Sequence, residues 1–84
     1  MNNSDVNVWV MLERIEIHPD VCNGRPVVRG TRIAVRTVLE FLAAGDSVED
    51  VLEEYPTLTR KDVQACLAFA SGLMDNGYSV EALK

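Results

Sequence analysis

The sequence has little of what holds most small secreted domains together. Its two cysteines, Cys22 and Cys66, lie 44 positions apart, whereas a disulfide framework uses denser pairs. Reduced thiols are therefore the expected state, with a single bridge as the alternative. No stretch reaches the roughly 18 apolar residues that mark a membrane span. The start, MNNSDVNVWVML, lacks the basic opening and long apolar core of a secretory signal. These absences predict a cytoplasmic protein with no membrane partner. Positive charge is also scarce, since eight Lys and Arg against thirteen Asp and Glu leave a net charge of -5. That balance argues against a generic nucleic-acid binder. Phosphate-loop glycines are missing, and no helical stretch sets two carboxylates around a cleft. Neither catalysis nor a cofactor is expected.

What is present is ordinary globular material, 48% hydrophobic and 25% charged. Eighty-four residues suffice for one domain. So short a chain buries only about 60–65% of its extended surface, which leaves a thin stability margin. Oligomerisation is the expected extra source of buried area, in the simplest case as a homodimer. The charges are segregated along the chain. Arg25, Arg29, Arg32 and Arg36 occur with no acid among them, and Glu40, Asp46, Glu49, Asp50, Glu53 and Glu54 follow with no base. Such a chain can present one basic surface while its mean charge stays negative.

Periodicity divides the chain into a short β region and three helices. Val6, Val8, Val10 and Leu12 alternate with other residues, and Arg14 to Ile17 alternates again, which is strand spacing. His18-Pro19-Asp20 ends the strand, because proline lacks the donor that a ladder needs. Asn23-Gly24 is a turn dipeptide. Val27-Val28-Arg29 and Arg32-Ile33-Ala34 read as extended pieces around Gly30-Thr31. Gly24, Gly30 and Thr31 are thus assigned structural turn roles. The first helix carries Val35, Val38, Leu39 and Leu42, with Gly45 placed to close it. The second opens on Ser47 with Asp50 completing a capping box, carries Val48, Val51, Leu52 and Tyr55, and stops at Pro56. The third opens on Thr59 with Asp62, buries Val63, Cys66, Leu67, Ala70 and Met74, and ends at Asn76-Gly77. Residues 1–10 are read as a flexible extension, 11–78 as the domain and 79–84 as a tail. The expected fold is mainly α, a short N-terminal β-strand region followed by a three- to four-helix bundle. The second and third helices have a helix-turn-helix layout.

On the third helix, with residues about 100° apart, the apolar arc spans roughly 160°. Phe69 and Leu73 fall at its margin. Together with Ile15 and Ile17 of the strand region they are the candidate dimer interface. The opposite arc is basic at the helix start, with Arg60 and Lys61, and continues with Gln64 and small residues, which suits approach to a groove and its phosphates. An ordinary solvated face is the competing reading. His18, Asp20 and Cys22 recur at alternate positions but make a poor metal set, three ligands in a segment kinked by Pro19. No metal is expected.

The stretch from Ile17 through His18-Pro19-Asp20-Val21-Cys22-Asn23-Gly24-Arg25-Pro26 and Val27-Val28-Arg29-Gly30-Thr31-Arg32-Ile33-Ala34-Val35 resembles the signature of the antitoxin-like domain-of-unknown-function family numbered 433. Leu42 to Thr59, including Gly45-Asp46-Ser47-Val48-Glu49-Asp50 and Tyr55-Pro56-Thr57-Leu58-Thr59, resembles that family's second motif. The likeness spans residues 14–75. It implies a homeodomain-like helix-turn-helix and, for some members, gene pairing with a ribonuclease-like toxin. On this reading the protein is a homodimeric antitoxin that neutralises such a toxin and binds operator DNA. Arg60 and Lys61 would grip phosphates, Gln64 would meet an adenine edge, and Arg25, Arg29, Arg32 and Arg36 would contact the backbone. The alternative is an interaction module of the same fold that binds no DNA, its arginines paired internally with the acidic second helix.

Overall fold

The computed structural model describes residues 13–76. The extension assigned to residues 1–10, the alternation from Val6 to Leu12, Gly77 and the tail at 79–84 lie outside the described residues. Within them the fold is mainly α, three helices preceded by a short two-stranded sheet. No helix there is long and apolar enough to cross a membrane.

Strand β1 (Ile15–Glu16) pairs antiparallel with β2 (Val27–Val28), with Ile15 opposite Val28 and Glu16 opposite Val27. The chain between them reverses at Cys22–Gly24, where three successive residues have φ of 50°, 58° and 78°. An L-residue pays for this left-handed backbone through its Cβ. The turn is held by Gly24 N–H to the Val21 carbonyl at 3.0 Å and Arg25 N–H to the Cys22 carbonyl at 3.1 Å. The Cys22 thiol also donates to the Arg32 carbonyl at 3.2 Å.

Past β2 the chain folds back on itself. Val28 N–H donates to the Ile33 carbonyl at 3.0 Å, and Val27 bridges Ala34. Gly30 supplies φ +76°. The Thr31 hydroxyl donates to the Val28 carbonyl at 2.8 Å and accepts from Ile33 N–H at 3.0 Å.

Helix α1 (Val35–Ala43) starts without a side-chain cap, and its first N–H is satisfied by the Pro26 carbonyl at 3.0 Å. It closes with Gly45 N–H on the Leu42 carbonyl and Asp46 N–H on the Phe41 carbonyl, the paired bonds of a Schellman motif. Helix α2 (Val48–Glu54) carries the Ser47–Asp50 capping box. Helix α3 (Arg60–Asn76) carries the matching Thr59–Asp62 box. The core lies where the helices meet the sheet, built on Val28, Val35, Val38, Val51, Leu58, Val63 and Cys66. Leu58, between α2 and α3, is 4% exposed and plugs the junction. Phe41 meets Tyr55 edge-on, centroids 5.8 Å apart, which ties α1 to the end of α2. Burial pushes the Cys66 thiol up to about 11, so it stays a neutral, small apolar filler.

The buried face of α3 departs from the expected stripe. Val63 and Cys66 are buried as expected, but Leu67 is 47% and Met74 64% exposed, while Asp62 and Ala65 are buried instead. The helix is turned toward the side bearing Asp62, Ala65 and Phe69. A hydrophobicity pattern could not anticipate this, because the residue that decides the rotation is charged.

Replacing Gly30 with valine places a β-branched side chain at φ +76° with open space around its Cβ. The cost is therefore backbone strain rather than a clash, about 1–3 kcal/mol. Chemical denaturation should show that loss with an unchanged m-value; an unchanged midpoint would refute the strained-turn assignment.

Candidate nucleic-acid interface

Asp62 is the sole carboxylate between Arg60 and Met74, and it faces inward, 8% exposed. One oxygen accepts from Thr59 N–H at 2.9 Å. The other pairs with the Arg14 guanidinium at 3.0 Å. The outward side of α3 is left with Arg60, Lys61, Gln64, Leu67 and Ser71, all exposed. This surface runs three turns with cations at its start and no acid on it. Lys61 and Gln64 are therefore brought together on one accessible face, as the sequence suggested. Arg60 lies beside them at the helix start, in an ion pair with Glu49 of α2. Asp50 is occupied by its capping box, and the Ser47 amide holds its carboxyl below the usual range.

The arginine segment does not act as one patch. Arg29 pairs with Glu16 at 2.9 Å, and Arg36 pairs with Glu40 one turn along α1 at 3.0 Å. Glu16 also binds the His18 ring at 3.2 Å; that bond, with the charge of Arg29 beside it, holds its carboxyl below the ordinary range. None of these partners belongs to α2, so the expected pairing of the segment with the acidic helix is replaced by pairing within the sheet and within α1. The cause is local: Glu16 lies opposite Val27, two residues before Arg29, and Glu40 lies four residues from Arg36. Arg25 and Arg32 have no ion pair among the described residues. Both line a cleft of about 320 Å³ beside the Cys22–Gly24 turn.

The four residues assigned to a dimer interface divide in two. Ile15 and Phe69 are half-buried and pack against the core. Ile17 and Leu73 are 58% and 50% exposed. Phe69 and Leu73 line a mainly apolar cleft of about 280 Å³ with Pro26, Val35 and Leu39, and Arg25 and Arg36 also belong to its lining. Ile17 follows directly on β1, whose last residue Glu16 lies opposite Val27. The exposure of Leu67 and Met74, at 47% and 64%, was not expected. No sequence signal short of the Arg14–Asp62 contact could have located it. Among the described residues no three His, Cys, Asp or Glu side chains are grouped as metal ligands; the Cys22 thiol and the His18 ring are engaged with Arg32 and Glu16.

The chain is similar to an uncharacterized protein, y4eO, of Sinorhizobium fredii, at 41% identity over 58 residues. That match covers 69% of this chain and 26% of the relative, so the chain spans about a quarter of that protein's length. The structure is similar to the crystal structure of a DUF433 member protein from Anabaena variabilis, with a TM-score of 0.66 and 32% identity, over 89% of this chain and 72% of that one. Residues 15–70 match the family described as "Protein of unknown function (DUF433)". They include the sheet, all of α1 and α2, and the part of α3 that carries Asp62 and its outward cations. The chain belongs to the DUF433 family.

Proposed function

We propose that the protein is an antitoxin-like, non-enzymatic helix-turn-helix protein of the cytoplasm that binds operator DNA through the outer face of α3. The observation that carries this reading is the inward turn of Asp62, which removes the one carboxylate from a helix face that otherwise offers Arg60, Lys61 and Gln64. A helix entering the major groove needs such a face, with donors for phosphates in its first turn and an amide one turn on for a base edge. The Arg60–Glu49 pair does not oppose it strongly. Both side chains are more than half exposed, and an exposed pair contributes about 0–1 kcal/mol, which a phosphate can displace. The protein partner in this reading is a ribonuclease-like toxin, which the resemblance to an antitoxin-like family implies.

The same molecule acts as a homodimer in this proposal. Ile17, Leu73 and the apolar cleft between α1 and α3 form the surface for the second copy. Two-fold symmetry would then present two α3 helices to one duplex. Light scattering should give a dimeric mass, and Leu73→Asp should give a monomer of unchanged helicity. A monomeric wild-type mass at high concentration would remove the dimer from the account.

An interaction module that binds no DNA is the second reading. It is favoured by the neutralisation of Arg29, Arg36 and Arg60 by carboxylates of the same chain. Titration of the DNA upstream of the gene at several salt concentrations separates the two. On the DNA reading, Lys61→Ala lowers the salt slope by about one, and Gln64→Ala relaxes preference at one base by about 1–3 kcal/mol. Glu49→Gln, which frees Arg60, tightens binding. Absence of any salt-dependent binding to that DNA would leave the interaction module as the function.

A further inference from the structure

Four of the six arginines are paired with carboxylates: Arg14 with Asp62, Arg29 with Glu16, Arg36 with Glu40 and Arg60 with Glu49. The remaining two, Arg25 and Arg32, line the same cleft. The chain carries a net charge of -5, yet no acid among the described residues lines that cleft. Its walls add two hydroxyl-bearing residues, Thr37 of α1 and Tyr55 at the end of α2. The chain between the two arginines is fixed at both ends. The Cys22 thiol is bonded to the Arg32 carbonyl, and the Arg25 amide is bonded to the Cys22 carbonyl. Both backbone anchors of the guanidiniums are therefore held to one left-handed turn.

We propose that this cleft is a binding site for a phosphate group, gripped by the Arg25 and Arg32 guanidiniums with Thr37 and Tyr55 as hydroxyl donors. Guanidinium forks match phosphate oxygens in pairs, and charge-assisted bonds of this type are the strong ones. Two guanidinium forks and two hydroxyls among the lining residues match the four oxygens of a phosphate better than the two of a carboxylate. The cleft volume of about 320 Å³ also admits a group of this size. The phosphate can come from a nucleic-acid backbone or from a small phosphorylated molecule. The site does not depend on α3 binding DNA, so the two proposals fail separately.

The test is an NMR titration of isotope-labelled full-length protein with inorganic phosphate, against sodium chloride and sodium acetate at matched ionic strength. Phosphate should give saturable shifts at Cys22, Arg25, Arg32 and Thr37, and acetate or chloride should not. The Arg25→Ala/Arg32→Ala double variant should lose those shifts while keeping its melting temperature, because neither side chain makes an ion pair that folding requires. A duplex that moves the same resonances would assign the phosphate to nucleic acid, and its salt slope should then fall by about two in the double variant. Phosphate shifts without duplex shifts would assign it to a small phosphorylated ligand. Equal shifts with acetate, shifts that survive the double variant, or no phosphate shifts at all would overturn the proposal.

Discussion

Both oxygens of the Asp62 carboxylate are committed, one to the Thr59 amide and one to Arg14, and the setting of α3 depends on them. The first bond starts the helix, as a capping box contributes about 0.5–2 kcal/mol. The second joins the helix start to the residue before β1, 48 positions earlier in the chain. A carboxylate this buried is tolerated because its oxygens are satisfied. Its rotation into the interior brings Ala65 in and carries Leu67 and Met74 out. The buried stripe of α3 combines this polar contact with the apolar burial of Val63, Ala65 and Cys66.

Electrostatics then sorts the surface. The basic run from Arg25 to Arg36 is split by short-range pairs into neutralised arginines, Arg29 and Arg36, and two without an ion pair among the described residues, Arg25 and Arg32. The acidic run from Glu40 to Glu54 is split likewise, into Glu40 and Glu49 paired with arginines, Asp50 bound into a cap, and Glu53 and Glu54 exposed on α2. What remains for partners is the exposed side of α3 from Arg60 to Ser71, which carries no acid of its own among the described residues, a two-arginine cleft and an apolar cleft between α1 and α3. These are three surfaces of different chemistry on one small domain.

Most local structure was legible because it is encoded by neighbours. Both capping boxes, the Gly45 helix end, the Gly30-Thr31 turn and the strand at Ile15 are short-range events that residue type and spacing specify. The Asn23-Gly24 turn was legible too, though not that Cys22 joins it at φ 50°. The rotation of α3 was not legible, because it depends on a pair of residues 48 apart, and periodicity counts Asp62 as solvent-facing. The arginine partners were hidden for the same reason, since register places Glu16 near Arg29 and sequence distance does not. Lys61 and Gln64 lie on the outward face that the helix-turn-helix layout suggested, whereas the arginines assigned together do not form one surface.

The central claim is that the Asp62 contact leaves α3 an outer face able to meet nucleic acid. Mapping amide shifts on adding a duplex from the upstream DNA tests it residue by residue. The account predicts the largest changes at Lys61, Gln64, Leu67 and Ser71, with the Glu53–Glu54 end of α2 unmoved. Changes centred on α2 or on the apolar cleft, with the α3 face silent, would contradict it.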